Sequence, residues 1–300
     1  MATELSEING VGSKTVESLN NNGINSIEDL ANASIEEITE CGISNSRAKD
    51  FKFKAKQNSI TITSATDVRE ENKEKRTIST GLSKLNEYTE GGLSDGEIVA
   101  AYGSDGSGKT QLAFQLAVSA VENDGGPVVW IETERSRFQP NRIEEIATEE
   151  STLDEIYRVK AYDLDAQYNA YHKIKESFDE VSMVIIDSLT ARFRLTDKFE
   201  DRSSLSARSS ELGKHINAIE GMVDKLHCPC LVTAQIYDAP TQYSSGDLMW
   251  GGSLLKHSVI YKLYMKDGQG ETHEVKVEQH PSTGDNTFNI NINENGIEEI

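Results

Sequence analysis

The stretch "AAYGSDGSGKTQLAFQ" (residues 100–115) decides the reading of this chain. Within it Gly103-Ser104-Asp105-Gly106-Ser107-Gly108-Lys109-Thr110 fits the pattern G-x-x-x-x-G-K-[ST]. An apolar strand-like run precedes it and a helical run follows, the context that gives the pattern meaning. Such glycines let backbone N–H groups turn inward around phosphate oxygens, at the positive end of the following helix. Lys109 is then placed to reach the β- and γ-phosphates, and the Thr110 hydroxyl to ligate Mg²⁺. The motif implies a bound nucleotide and is silent on the reaction.

A magnesium site needs a second anchor, usually an acid ending an apolar strand beside the phosphates. "MVIIDSLT" supplies Asp187 after four apolar residues. Hydrolysis also needs a group to polarise water. In "VVWIETERSRF" a strand period of two puts Trp130, Glu132 and Glu134 on one face. Periodicity does not choose between the two carboxylates, and either could be a solvated edge residue. "LVTAQIYD" ends an apolar strand with Gln235, whose carboxamide could hydrogen-bond a γ-phosphate.

Outward from these motifs, runs such as "EIVAAYG", "PVVWIETE", "YRVKAY", "SMVIIDS" and "CLVTAQI" alternate with helical segments near 109–122, 139–149, 165–178 and 206–226. That order predicts a largely parallel sheet with helices on both faces. The tail reads as antiparallel strands with a turn at Asp267-Gly268. Residues 1–57 read as a small all-α domain of short helices broken by glycine. Ile8, Val11, Val16, Leu19, Ile24, Ile27, Leu30, Ile35 and Ile38 form its core, and Ser26 and Ser34 are N-caps. Residues 58–76 read as a linker, with a short β-like piece and a charge run on a solvated segment or helix face. The remainder, 77–300, is one larger α/β domain.

Fifty acidic residues against thirty basic ones give a formal net charge of −20. Such a balance ordinarily opposes nucleic-acid binding. It also fits a salt-adapted cytoplasm, where self-repulsion is screened. No run of about eighteen apolar residues predicts a spanning helix, and "MATELSEING" lacks a secretory start. A cytoplasmic protein with no membrane partner is the expectation. Cys41, Cys228 and Cys230 lack metal-ligand spacing and read as buried thiols, with a redox pair at 228 and 230 as the alternative.

Taken in order, these pieces resemble the archaeal and eukaryotic branch of the RecA recombinase family, the RadA type. "INGVGSKTVESLNNNGINSIEDLANAS" is similar to its helix-hairpin-helix domain, in which Gly10 and Gly12 would offer N–H groups to DNA phosphates. "ISTGLSKLNEYTEGGLSDGEIVAAYGSDGSGKTQ", with Gln111 after Thr110, resembles the approach to a RecA-like phosphate loop. "WIETERSRFQPNRI", "DSLTARFR", "TAQI" and "GGSLLKHSVIYKLYMK" resemble the later segments. The resemblance implies ATP and Mg²⁺ as ligands, with Asp187 and Thr110 on the metal and Glu134 rather than Glu132 activating water. It implies Gln235 as γ-phosphate sensor, Arg142 against the adenine, and Pro281 capping the base of a neighbouring subunit.

Two DNA loops are implied, at about 193–207 and 236–252. Around the first, Arg192, Arg194, Lys198, Arg202 and Arg208 outnumber Asp197, Glu200 and Asp201. That balance suits DNA phosphates, or a salt-bridged loop. The second offers Tyr237, Tyr243, Met249 and Trp250, with Gly251 and Gly252, for stacking on bases or for packing beneath the loop. Assembly into a helical filament or ring is implied through a linker motif in which Ile62 replaces the family's phenylalanine while Ala65 is kept. Other departures are an extra residue in "ETERSRF", Ser253 in place of a histidine, and Gln279-His280-Pro281 at the base cap. The implied function is an ATP-dependent recombinase that forms filaments on single-stranded DNA and pairs it with homologous duplex. The alternative is an accessory paralogue that binds ATP, DNA or another recombinase and regulates filaments without strand exchange. A hexameric helicase fits the motif order less well.

Overall fold

The structure is a computed structural model that describes residues 5–58, 62–196, 205–238, 247–268 and 272–300. The chain divides into two units, Met1–Glu74 and Lys75–Ile300. In the first, α1 (Ser13–Asn20), α2 (Ile27–Asn32), α3 (Ile35–Glu40) and α4 (Asn45–Asn58) pack around Leu19, Leu30, Ile38 and Phe51. The serine caps form as expected, each within a reciprocal capping box. Ser26 Oγ accepts from Asp29 N at 3.0 Å and Asp29 returns a bond to Ser26 N, while Ser34 pairs with Glu37 in the same way. Val16 and Ile35, expected in the core, are only partly buried. The turn before α1 needs a left-handed residue, supplied by Gly10 at φ 98°. Arg47 and Lys54 on α4 donate to the carbonyls of Gly10 and Asn9, fixing that turn. The charge run forms α5 (Ala65–Glu74), which has no buried residue.

The second unit is built on one large sheet. Its elements are β1 (Thr77–Ile78), α6 (Ser83–Tyr88), β2 (Leu93–Ser94), β3 (Ile98–Gly103), α7 (Lys109–Asp124), β4 (Val128–Glu132), α8 (Pro140–Ile146), β5 (Ile156–Lys160), α9 (Leu164–Ser177) and β6 (Met183–Asp187). They continue as α10 (Ala191–Leu195), α11 (Leu205–Leu226), β7 (Cys230–Asp238), β8 (Asp247–Met249), α12 (Gly252–Ser258), β9 (Tyr261–Asp267), β10 (Thr272–His280), β11 (Gly284–Asn293) and β12 (Gly296–Glu299). The order across the sheet is β12-β11-β10-β9-β3-β7-β6-β4-β5, parallel from β9 to β5 and antiparallel from β12 to β9. This is the mixed α/β architecture expected. One face packs α7 and α8 around the Phe114–Trp130 stack; the other packs α9 and α11 over Val184, Ile186 and Val232. Cys228 and Cys230 are free and fully buried, and burial pushes the Cys228 thiol up to about 12.

Three local differences from the sequence reading have physical causes. α8 stops at Ile146 because Ala147 turns extended and the Glu122 carboxylate takes the N–H groups of Thr148 and Glu149. Strand β4 ends at Glu132, so the alternation expected to carry Glu134 onto the face of Trp130 and Glu132 stops short of it. Arg76, read as the end of a solvated linker, is anchored. Its guanidinium pairs with Asp95 and Asp124 and donates to the carbonyls of Val181 and His227.

Arg76 thus ties β1 to four later segments from a side chain only 26% exposed. Arg76→Ala would leave two half-buried carboxylates without their partner, at a cost of about 2–3 kcal/mol. For a unit of this size, that lowers the melting temperature by roughly 2–4 °C per kcal/mol. Thermal unfolding followed by circular dichroism checks it, and an unchanged midpoint would assign the cluster no stabilising role.

Candidate nucleotide-binding site

Strand register gathers the motifs at one end of the sheet. Gly103 pairs with Gln235 across β3 and β7, and Glu132 pairs with Asp187 across β4 and β6. Beside the carboxyl ends of these strands lies a cavity of about 560 Å³. Open parallel sheets bind ligands in this position. The phosphate loop lines it through Asp105, Gly106, Gly108, Lys109 and Thr110. Gly103 tolerates no side chain, since a Cβ would fall 2.0 Å from the Met265 carbonyl oxygen. Gly108 takes φ 93°, which favours glycine, at the entry to α7.

Lys109 Nζ is folded back, donating to the carbonyls of Gly103 (3.0 Å) and Ser104 (2.6 Å) and approaching Ser107 Oγ at 3.3 Å. Burial lowers its pKa, and the charges of Asp105 and Asp187 partly restore it. Asp187 accepts from the Thr110 hydroxyl at 3.0 Å and from the Thr233 hydroxyl at 2.6 Å. Burial raises its pKa against those two bonds. Two hard oxygen donors, one a carboxylate, suit Mg²⁺, which typically binds one or two carboxylates together with phosphates and water. No group of three or more His, Cys, Asp or Glu side chains able to hold a metal occurs among the described residues. A divalent ion here would therefore rest on Thr110, Asp187 and its ligand's own oxygens.

The two glutamates separate cleanly. Glu132 is fully buried and committed: it accepts from the N–H groups of Arg137 and Phe138 and from Tyr162 Oη at 2.6 Å. Burial alone would raise its pKa, but these bonds and Arg158 hold it below the usual carboxylate range. Glu134 instead lines the cavity with Lys109 and Asp187. Ser136, left-handed at φ 62°, lies after it, so the backbone irregularity of "ETERSRF" falls between Glu134 and Phe138. Gln235 Nε2 donates to Asp105 at 2.9 Å, and the Gln235 carbonyl accepts from Trp250 N at 2.8 Å. Arg142 Nε donates to Gln111 Oε1, and its terminal nitrogens hold the carbonyls of Asn293 and Glu294. Pro281 is exposed in the turn between β10 and β11 and is not among the cavity's lining.

Around the DNA-loop positions, Lys198, Arg202 and Tyr243 lie outside the described residues. Arg194 is exposed, whereas Arg192 turns partly inward and donates to the Tyr162 carbonyl. Trp250 packs near Phe193 and lies under the Arg208 guanidinium at 4.9 Å, while Tyr237 remains 40% exposed. Gly251 and Gly252 adopt φ 106° and 60°.

Residues 71–300 match the Rad51 family, and residues 2–57 match the SAM-like helix-hairpin-helix tandem. The chain belongs to the Rad51 family. Over its full length it is 27% identical to a protein named DNA repair and recombination protein RadA from Methanococcus maripaludis, strain S2. It is 28% identical to the protein of that name from Methanococcus voltae, and all of each chain is covered in both comparisons. Among the described residues no helix is long and apolar enough to cross a membrane.

Several residues lining this cavity were not singled out from the sequence, among them Arg137, Thr233 and His273. Arg137 adds a second cation beside Lys109. Its signal was its place in "ERSRF", on the segment carrying Glu134. Thr233 sits two residues before Gln235 on the same strand, a period-two relation that was there to be read. His273 on β10 carried no local signal, since the sheet alone brings it there.

Because its folded pKa is raised, Asp187 contributes stability when protonated and loses it as pH rises through the folded value. Asp187→Asn removes that cost. At pH 7–8 its melting temperature should stand above the parent's, and a ligand that depends on Mg²⁺ should no longer shift it. A melting temperature below the parent's would show that the ionised carboxylate is stabilising.

Proposed function

We propose that this chain is an ATP-dependent DNA recombinase acting in homologous recombination and repair. It would polymerise on single-stranded DNA and pair that strand with homologous duplex. The observation that carries the reading is Gln235. Its side chain holds Asp105 of the phosphate loop while its carbonyl holds Trp250, at the end of the proposed second DNA loop. A change in phosphate occupancy therefore pulls directly on a DNA-facing segment.

In this reading ATP lies in the 560 Å³ cavity. Lys109 exchanges its loop carbonyls for phosphate oxygens, and Arg137 adds a second positive charge. Thr110 and Asp187 hold Mg²⁺, which neutralises charge on the phosphates when bound. Glu134 accepts a hydrogen bond from the attacking water, and Gln235 senses the γ-phosphate. Arg142 borders the base, with Pro281 closing over that of the next subunit. Residues 1–57 form a DNA-facing module whose Gly10 and Gly12 N–H groups meet backbone phosphate. Arg194, Lys198 and Arg202 serve the first loop, and Tyr237, Tyr243 and Trp250 the second. The protein acts in the cytoplasm of a salt-adapted archaeon.

Ile62 is completely exposed, an apolar side chain ahead of the all-exposed helix α5, as suits a segment that docks on another subunit. The same residue supports the second reading, an accessory paralogue. An isoleucine buries less area than the family's phenylalanine and lacks a ring for edge-to-face contact.

The test is ATP hydrolysis by the purified chain in high KCl, with and without single-stranded DNA. Stimulation by DNA, lost in Gln235→Ala, is expected; hydrolysis indifferent to DNA would favour the paralogue. Lys109→Ala should abolish ATP-dependent DNA binding. Glu134→Gln should lower the rate by about 10²–10⁴-fold, the usual contribution of a general base, with nucleotide binding kept. Ile62→Phe should lengthen filaments seen by electron microscopy; shorter ones would place the docking segment elsewhere.

A further inference from the structure

Among the described residues His273 is the one histidine lining the phosphate-loop cavity. Strand β10 alternates His273, Val275 and Val277 onto one face, the face on which α7 packs. Register places His273 between Asp267 of β9 and Ile290 of β11. Those flanking strands also abut the phosphate loop. A Cβ on Gly108 would meet Ile292 Cδ1 at 2.6 Å and Met265 Cε at 3.3 Å. His273 sits on the strand between them, one alternation beyond Val275, the partner of Met265. It lines the cavity together with Gly106 and Gly108.

The imidazole is incompletely paired. His273 is only 8% exposed, yet its Nδ1 is buried with no hydrogen-bond partner among the described residues. Asp267 Oδ1 stands 3.5 Å away, within reach of an ion pair but outside hydrogen-bonding geometry. Nε2 makes no hydrogen bond among the described residues either, and it is not sealed off like Nδ1. A buried polar atom without a partner calls for an explanation. One change satisfies both nitrogens: an imidazole that gains a proton donates from Nδ1 to Asp267 and from Nε2 to an anion. Imidazole is the side chain whose ordinary charge change falls nearest neutrality, and phosphate is the anion that such a loop gathers.

The surrounding charges leave this part to His273. From β9 it meets Asp267, and from β11 the apolar Ile290. Elsewhere the cavity is lined by Asp105, Glu134 and Asp187 against Lys109, Arg137 and Arg142, which balance in number. Glu274, next on β10, is exposed and alternates to the opposite face.

We propose that His273 contacts a phosphate group of the bound nucleotide through Nε2 and takes up a proton from solvent as it does so, with Asp267 positioning the ring. The inference rests on the reading of this cavity as a nucleotide site. It makes affinity depend on pH. Because the complex favours the imidazolium, the contact strengthens as pH falls and fades as pH rises. Thr110 and Asp187 take no part in it, so the effect persists without a metal ion.

The experiment titrates ADP calorimetrically, in EDTA, into the full chain and into His273→Gln and Asp267→Asn. It is run at about pH 6 and about pH 8, either side of the ordinary imidazole range. A repeat at an intermediate pH in two buffers of different ionisation heat counts the protons taken up. Protonation of ADP itself is common to all three chains and cancels between them. His273→Gln should lose roughly tenfold in affinity at the lower pH, as for a charge-assisted hydrogen bond, and little at the higher. It should also take up a smaller fraction of a proton than the parent. Asp267→Asn, at a side chain 60% exposed, should show the same losses to a smaller degree, and it carries the test if His273→Gln melts well below the parent. Equal losses at both pH values with unchanged proton uptake would mark a structural residue and overturn the proposal. So would affinities and proton uptake that neither substitution alters; in both cases, binding by the parent leaves the nucleotide site standing. A parent chain that binds no ADP overturns that reading and the inference with it.

Discussion

The buried carboxylate of Asp187 is the constraint on which the second unit depends. It ends a strand with apolar neighbours on both faces, and burial disfavours its charge. Two hydroxyls answer it, one from the first turn of α7 and one from β7. Those bonds therefore do more than hold an acid. They lock the helix that follows the phosphate loop and the strand that carries Gln235 to the strand between β7 and β4. An apolar residue at 187 would pack, but nothing would then fix the height of Thr110 relative to Thr233. A cation in the cavity would relieve the desolvation that the hydroxyls only partly offset.

Lys109 shows the complementary solution. Its ammonium is half-buried, but its donors already meet loop carbonyls. In the proposed reading a bound phosphate would replace these carbonyls as acceptors, so no donor would be left unmade at either stage. Gln235 works in the same currency. Its amide is satisfied by Asp105, and a phosphate oxygen entering beside that carboxylate competes for the same N–H. Because the Gln235 backbone also fixes Trp250, such an exchange, as proposed, would have a lever arm. Coupling by such contacts requires that the two ends have discrete arrangements. The left-handed Gly251 and Gly252 at the hairpin's exit give it a place to turn.

Much of this was legible in the sequence because it is local. The phosphate loop announces itself by spacing, the parallel strands by unbroken apolar runs, and the serine caps by the acid three residues on. Asp187 and Gln235 were legible because each ends such a run. The glutamates were not separable by period, since the relevant fact is where β4 stops. Beyond that point the Thr133 hydroxyl, not the backbone, pairs with Ser188, donating to its carbonyl and accepting from its N–H. Arg76 shows the opposite failure. It sits in a charge run whose composition reads as solvated, yet its partners lie 19, 48, 105 and 151 residues away. Arg192 also belongs to a basic count, and only the packing of α10 shows it turning inward. Composition describes a segment's average environment, whereas a single guanidinium is placed by long-range pairing.

The same distinction resolves the acidity of the chain. A net charge of −20 appears to disqualify a partner made of phosphates, but the field a ligand meets is local. Lys109, Arg137 and Arg142 line one cavity and Arg135, Arg158 and Lys160 the next, with segment 132–142 contributing to both. The carboxylates at these places are Asp105, Glu132, Glu134 and Asp187, and all but Glu134 are engaged by donors within the protein. Acid elsewhere on an exposed surface is weakened by salt within about 8–10 Å, whereas half-buried charges are screened much less. High salt would therefore mute the repulsive surface, and it would weaken the half-buried Lys109 and Arg142 less than the exposed Arg135, Arg137, Arg158 and Lys160. An acidic chain can in this way keep local positive charge where it is half-buried and shed the opposing field where it is not.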